Sequence, residues 1–446
     1  MPVLAVWMNG LRVGFWRSGK QGDEFAYDED WLSDSNALRR PLSLSLKFRP
    51  GNQPYKDERV RNFFDNLLPD SDHIRRRLAS QHRLASVDAF DLLRAIGRDC
   101  VGALQLLPVD VAPENLTSIQ GEVLDEAGVA RVLRHTQGNA PAAMLDDDGE
   151  LRISIAGAQE KTALLFHDGR WQKPVGSTPS THILKLPMGE ITVSTGALDM
   201  RHSVENEWLC SRILQAFGLA VAHSEIATFE EMTVLSVERF DRRLSRQGDW
   251  IMRLPQEDFC QCLGVNSLNK YANNGGPKAE DLNRLLAQAD ASNSAQDRVQ
   301  FFRTLVIFWM LAAIDGHAKN FSIFLQADSK YRLTPLYDVL SAHPVMGKGK
   351  GQYHESKVKL AMPVQGESGP HYLVSRIQVR HWIHFGVEVL KIAPEAQIRR
   401  LLQELADSTE GVIARVAAQI PSAFPGRIAD SIFSGLRKYA GKLNAG

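Results

Sequence analysis

Four residues of chemical promise close an apolar run over residues 305–314: Asp315, His317, Lys319 and Asn320. An aspartate five residues ahead of an asparagine has the spacing of a phosphoryl-transfer loop. In such a loop the carboxylate accepts the proton of the attacking hydroxyl and the amide oxygen holds a magnesium ion. Asp338, which follows Tyr337, is a second carboxylate where these enzymes carry their main metal ligand. An Asp-x-x-x-x-Asn pair arises by chance about once in a chain of this length, so its meaning depends on what stands upstream.

Phosphoryl transfer requires a phosphate cover, a lysine, a partner acid, a base and metal ligands, and the chain supplies candidates in that order. Residues 153–161 read Ile-Ser-Ile-Ala-Gly-Ala-Gln-Glu-Lys. A bend at Gly157 would bring the backbone of Ala156, Gly157, Ala158, Gln159, Glu160 and Lys161 close to phosphate oxygens. One glycine is not the full G-x-G-x-x-G pattern, and an ordinary hairpin accounts for the same residues. Lys185 lies inside the apolar stretch Ile-Leu-Lys-Leu. An ammonium buried there needs a counter-charge, with phosphate as the functional candidate and Glu207 or Glu205 as the partner acid. An edge strand with the amine in water is the competing explanation. Glu238, Arg239, Phe240 and Asp241 end a strand where a hinge between lobes is expected, with backbone groups for an adenine edge and Asp241 for a ribose hydroxyl. A surface charge cluster explains them equally well. His317 and Lys319 either order the Asp315 loop or touch phosphate.

Other chemistries find little support, since the sequence contains neither G-x-S-x-G nor H-E-x-x-H. Its four cysteines include one C-x-C but no second pair at zinc spacing. They read as reduced thiols of a cytosolic protein. Lys+Arg and Asp+Glu both number 52, so any nucleic-acid contact must be local. The N-terminus lacks the basic segment of a signal peptide, and the apolar run before Asp315 falls short of the roughly 20 residues that span a bilayer. A soluble, cytoplasmic protein is expected.

With 446 residues the chain should form two or three domains. Asn9-Gly10 between two apolar runs predicts a hairpin with a type I′ turn. Alternation at Leu42, Leu44, Leu46 and Phe48 predicts a strand. Helices are expected over residues 60–68, from a cap at Ser71 to Leu78, from a cap at Ser86 to Gly97, and over 122–135. A boundary is placed at 140–148. Strands follow over 153–155, 161–166, 182–186 and 234–237, with a helix over 204–217. Residues 333–340 read as a short strand or turn. Helices are predicted over 277–287, 295–314, 380–392, 395–405 and 411–419, and mobile loops over 266–276 and 347–351. The fold class is therefore α+β. A β-plus-helical module (1–145), a small antiparallel lobe (146–253) and a mostly α-helical lobe (254–446) follow in order.

Several stretches together resemble the HipA-type serine/threonine-kinase toxins of bacterial toxin–antitoxin modules: Phe-Asp-Asn-Leu-Leu-Pro-Asp at 64–70, Phe-Asp-Leu-Leu at 90–93, residues 153–161 and 183–187, Arg-Leu-Pro-Gln-Glu-Asp at 253–258, and Asp315 to Asn320. The resemblance covers nearly the whole chain. It implies a two-lobed, phosphatidylinositol-kinase-like fold using ATP and Mg²⁺, with Asp315 as base, Asn320 and Asp338 on the metal, and Lys185 on ATP. Residues 156–161, 238–240 and 317–320 would line the nucleotide. Ser154 matches the family's autophosphorylated serine. A phosphoserine adds about −1.5 to −2 charge, so modification there should expel the loop and switch the enzyme off. The chain departs from protein kinases at large in lacking H-R-D, D-F-G and A-P-E. Implied partners are a HipB-like helix-turn-helix antitoxin dimer, operator DNA through that complex, and a protein substrate such as glutamyl-tRNA synthetase. Lys348, Lys350, Arg376, Arg380 and Lys391 are candidate local DNA contacts, a solvated basic face being the alternative. A small-molecule kinase of related fold and a catalytically idle corepressor are the competing functions.

Overall fold

The structure is a computed structural model and describes residues 1–33, 40–137, 154, 156–157, 159–193 and 196–445. The boundary expected over 140–148 and Ala158 fall outside these residues, and of the strand expected over 153–155 only Ser154 is described. The chain folds as two compact units, each assembled from separated segments. One comprises Met1–Leu186, Ala227–Leu268 and Ser322–Tyr331, the other Pro187–Ile226, Asn269–Phe321 and Arg332–Gly446.

In the first unit the expected hairpin forms between Val3–Met8 and Leu11–Gly19, with Asn9 and Gly10 at φ 46 and 83. Positive φ at both positions is what a type I′ turn demands. Gly22–Tyr27 and Leu104–Pro108 extend the pair to a four-stranded antiparallel sheet. Trp16 from this sheet stacks on Phe64 at 4.1 Å and meets the edge of Phe90 at 4.9 Å, joining helices Glu58–Asp65 and Ala89–Ile96 to one core. Ser71 caps the helix Asp72–Gln81 as expected. The next helix, however, is capped by Asp88, because Ser86 instead accepts from the Asp88 amide and donates to Asp91. The helix expected over 122–135 divides into a strand, Gly121–Leu124, and a helix, Glu126–Thr136, capped by Asp125.

The strand expected over residues 42–48 is absent. Leu42, Leu44 and Leu46 are buried, but so are the intervening Ser43 and Ser45. Polar groups of this stretch turn inward: Leu44 N–H donates to Glu257 Oε1 at 2.8 Å, Ser43 Oγ to Oε2 at 2.5 Å, and Ser45 Oγ to Gln261 O at 2.7 Å. An alternating pattern predicts a strand only when the polar positions face water.

The second sheet of this unit has six strands, in the order Ser224–Phe229, Met232–Glu238, His182–Lys185, Lys161–His167, Arg170–Pro174, Gly121–Leu124. The 161–167 and 170–174 strands turn through Asp168 and Gly169, both at positive φ. Beside the end of Met232–Glu238 lies a buried ion cluster. Arg242 approaches Asp99 at 2.9 Å and Arg253 approaches it at 3.5 Å, while Arg239 bridges Asp99 at 3.3 Å and Asp241 at 2.9 Å. Burial alone would raise the Asp99 pKa, but the guanidinium groups of Arg242, Arg239 and Arg253 hold it well below the usual carboxylate range.

The second unit is largely helical. Its longest helices are Ala291–Met310, Glu395–Ala417 and Gly426–Asn444. Glu395–Ala417 runs unbroken through Gly411, where two helices were expected, and Gly426–Asn444 carried no expectation. Residues 380–392 form an α-helix, Val379–His384, continued by a π-turn, Phe385–Val389. Two hairpins were also unforeseen, Gly189–Val193 with Gly196–Met200 and Lys359–Gly366 with Gly369–Leu373. Among the described residues no helix is long and apolar enough to cross a membrane. All four cysteines are buried thiols.

Burial drives the Glu257 pKa up to about 8, against the donors Ser43 and Leu44, which favour its charged form. In the unfolded chain a glutamate titrates near about 4.3. The folded state therefore keeps a proton that the unfolded state releases. The resulting stability is fully present below about pH 4.3 and is lost as pH rises through about 8, at up to about 1.4 kcal/mol per unit. Urea unfolding at pH 5 to 8 should show this decline, and Glu257→Gln should flatten it.

Candidate active site

In the second unit the site begins where the helix Ala291–Met310 stops. Phe301, Phe302, Val306, Ile307, Trp309 and Met310 are all at most 1% exposed, so this end of the helix is packed on every side. The expected continuation to Ile314 fails because the chain closes in a left-handed cap. Ala312 sits at φ 47, its N–H donates to Trp309 O at 3.1 Å, and Ala313 N–H reaches Phe308 O at 2.8 Å. This is the Schellman pattern, usually carried by glycine. Gly316 then passes against the Phe308 ring, which a Cβ there would meet at 2.6 Å.

Beyond the cap, Asp315 stays 60% exposed while His317, Lys319 and Asn320 are buried. His317 N–H donates to Asp315 O at 2.7 Å and faces Asn320 Oδ1 at 3.3 Å, so the Asn320 side chain closes the short turn Ala318–Asn320. The loop carrying Asp338 is laced onto this one. Tyr337 Oη donates to Lys319 O at 2.8 Å, Asn320 Nδ2 to Asp338 O at 3.3 Å, Ser341 Oγ to Leu311 O at 2.6 Å, and Ala342 N–H to Ala312 O at 3.0 Å. From helix Ser203–Ala216, Asn206 clamps the end of the loop, donating to Ser341 O at 2.8 Å and accepting from Ser341 N–H at 2.9 Å. Asp338 itself adopts φ 60, a left-handed backbone that a non-glycine residue holds only under constraint.

The structure thus laces the segment carrying Asp315, His317, Lys319 and Asn320 to the one carrying Tyr337 and Asp338. Asp338 carries a carboxylate and Asn320 an amide oxygen, donors of the kind magnesium takes, on two segments tied by the bond from Asn320 Nδ2 to the Asp338 backbone carbonyl. Sequence reasoning missed Tyr271. It lies in the Asn- and Gly-rich stretch expected to be a mobile loop, yet its hydroxyl donates to Asp315 Oδ1 at 2.5 Å and its ring meets that of His317 edge-on at 4.9 Å. An aromatic residue set among small polar ones was the available signal.

In the first unit, Lys185 is 5% exposed on an interior strand, paired with Leu235 on one side and Lys161 on the other. The edge-strand alternative is excluded. Lys161 Nζ reaches Ala156 O at 2.8 Å beneath Gly157, whose φ is 110 and where a Cβ would lie 2.5 Å from that ammonium. Gly157 O accepts from Asp70 N–H at 3.0 Å, Gln159 donates to Leu186 O at 2.6 Å, and Glu160 binds Arg77 at 2.6 Å. Two lysines directly opposite on neighbouring strands repel one another, and an anion beside them relieves that repulsion. Ser154 is fully buried, its Oγ donating to Leu67 O at 2.7 Å and its N–H to Asp99 O at 3.1 Å.

Two expectations need correction. The Asp241 carboxylate is 2% exposed and committed to Arg239, Arg242 and the Gly102 amide, so it does not present itself to a ribose. The Arg239 guanidinium is likewise consumed by the ion cluster, and the Arg239 backbone N–H donates to Thr181 O at 2.8 Å. Glu238 is exposed and Phe240 packs edge-on against Phe324 at 5.7 Å. Of the two candidate partner acids, Glu207 is buried, whereas Glu205 lies 3.4 Å from His202. Lys348, Lys350, Arg376, Arg380 and Lys391 are all exposed.

Comparison with known proteins settles the family. The HipA-like C-terminal domain matches residues 153–413 and the HipA N-terminal domain matches residues 4–107. This chain belongs to the HipA family. A protein of Sinorhizobium fredii is 36% identical over 441 residues, 96% of each chain. The serine/threonine-protein kinase toxin HipA of Shewanella oneidensis is 27% identical over 381 residues, 82% of this chain and 80% of that one. The HipA chain solved from Shewanella oneidensis with HipB and operator DNA superposes with a TM-score of 0.78 at 22% identity, covering 99% of this chain and 98% of that one. The HipA fold therefore extends over the whole molecule.

Asn206 carries the brace between helix and Asp338 loop through two buried hydrogen bonds. Asn206→Ala should lower unfolding stability by about 2 kcal/mol, since it strands the Ser341 amide and carbonyl. Asn206→Asp should cost at least as much, since it buries a carboxylate against the Ser341 carbonyl; urea denaturation measures both.

Proposed function

We propose that this protein is an ATP- and Mg²⁺-dependent kinase that phosphorylates serine or threonine hydroxyls, and that it serves as the toxin of a HipBA-type toxin–antitoxin module. The observation that supports this reading is that the segment ending in the exposed Asp315 carboxylate and the buried Asn320 is tied by hydrogen bonds to the segment carrying Asp338. Asp315 accepts the proton as the acceptor hydroxyl attacks the γ-phosphorus. Asn320 and Asp338 hold the magnesium ion, which neutralises charge on the phosphates when bound. Lys185, with Lys161 and the Gly157 turn, takes phosphate oxygens. His317, Lys319 and Tyr337 order the loops, and the backbone at Glu238 and Phe240 takes the adenine edge.

Ser154 is the self-modification site in this reading. Its hydroxyl is used by Leu67 O, so a phosphate there cannot remain in place and the segment must leave its seat. The protein substrate is a component of translation of the glutamyl-tRNA synthetase kind, and a HipB-like antitoxin dimer carries the protein to operator DNA. The exposed lysines and arginines at 348, 350, 376, 380 and 391 are available to supplement that contact.

With labelled ATP and Mg²⁺, the purified chain should incorporate phosphate at Ser154. Asp315→Asn should reduce incorporation by about 10²- to 10⁴-fold, Asp338→Asn should raise the Mg²⁺ concentration needed for half-maximal labelling and lower its maximum, and Ser154→Ala should leave the chain unlabelled. Full growth inhibition by the Asp315→Asn variant would refute the catalytic reading in favour of a binding role.

A further inference from the structure

We propose that the Tyr271 phenol stands in for the acceptor hydroxyl, a latch on Asp315 that the substrate's own hydroxyl must displace. The inference rests on the kinase reading above and concerns what occupies its base before substrate arrives.

The geometry is that of a bound acceptor. A hydroxyl about to be deprotonated lies within roughly 2.6–3.2 Å of its base. Tyr271 Oη donates to Asp315 Oδ1 at 2.5 Å, slightly closer than that range, and to the same oxygen that His317 Nε2 faces at 3.9 Å. The phenol is aimed by its ring, which stands edge-on to His317 with an interplanar angle of 81°. Asp315 is 60% exposed, so nothing about burial obliges a neighbour to satisfy it, since water would do so. A side chain that nevertheless seats its hydroxyl there competes with any incoming one.

The surroundings suit a side chain that swings while its backbone stays in place. Tyr271 O accepts from the amides of Asn274 and Gly276, both at 3.0 Å. A Cβ at Gly276 would come within 1.9 Å of Asn269 O, so the turn behind Tyr271 closes tightly. With the backbone so held, release requires only rotation of the Tyr271 side chain, which for partly exposed residues is fast compared with turnover. A hydrogen bond to a carboxylate is stronger than a neutral one, but water at this exposed position weakens it. The latch should therefore be modest, holding a majority of molecules without blocking the enzyme.

The test uses the full-length chain and its Tyr271→Phe variant, with label transfer from ATP to a synthetic peptide of residues 149–159, which contains Ser154. Removing the hydroxyl should lower the peptide KM three- to tenfold and raise kcat/KM by the same factor, with the KM for ATP unmoved. The rate of self-labelling should rise in parallel, which gives a second reading if the peptide is a poor acceptor. An unchanged peptide KM together with an unchanged self-labelling rate overturns the latch, and so does a fall in kcat, which would show that the phenol positions the base. A wild-type chain that labels neither peptide nor itself refutes the kinase reading, and the latch with it.

Discussion

A carboxylate that must remain in water is mounted at the end of a helix that must remain dry, and the second unit is arranged around that conflict. The helix over 291–310 carries its apolar residues all round towards its C-terminal end, which is possible only when other elements cover it completely. Trp309 shows how full the cover is: its indole donates to Val374 O at 2.9 Å while its ring meets Trp382 at 5.9 Å and Tyr439 at 4.9 Å. A smooth exit from such a helix would leave Asp315 buried and uncompensated, at a cost of several kcal/mol. The left-handed turn at Ala312 breaks the axis within one residue and delivers the carboxylate to solvent.

Strain accompanies that solution at two positions, Ala312 and Asp338, both non-glycine residues at positive φ. Each lies where the two loops are laced together, and the bonds of Ser341, Ala342, Asn320 and Tyr337 hold the backbone in place. The consequence for function is pre-organisation. In the proposed kinase, a magnesium ion would meet Asn320 and Asp338 on two segments already held by hydrogen bonds, so little ordering would be left for the moment of binding.

The first unit resolves a different conflict, burying several arginines and aspartates at the end of a central strand. Asp99, Asp241, Arg239, Arg242 and Arg253 each find opposite charge within 3.5 Å, and Ser180 adds a hydroxyl that donates to Asp99 and accepts from Arg239. Buried charge of this kind adds little net stability compared with a well-packed apolar core, but losing one partner is severe. Such a cluster tolerates a single arrangement, and the backbone amide of Ser154 donates to the Asp99 carbonyl within it. The seat of the serine and the end of the strand therefore share a residue.

Where side-chain chemistry acts locally, this fold was legible in the sequence. Asn9-Gly10 permits few turns other than the one observed, Ser71 caps its helix, and the order Lys185, Asp315, Asn320, Asp338 pointed to phosphoryl chemistry before any geometry was known. The loops that hold the last three do meet. Other features depended on partners remote along the chain. Residues 42–48 alternate like a strand, but Glu257 and the Gln261 carbonyl turn their serines inward; residues 395–405 and 411–419 read as two helices, but a single helix, Glu395–Ala417, spans both; Asp241 resembles a ribose ligand, but Arg239, Arg242 and Gly102 claim it. Tyr271 is the sharpest case, a residue in an apparently mobile loop whose hydroxyl ends on Asp315. Periodicity and capping report on neighbours three or four residues away. Which of several polar groups a buried or constrained side chain will satisfy is decided only when the whole chain has packed.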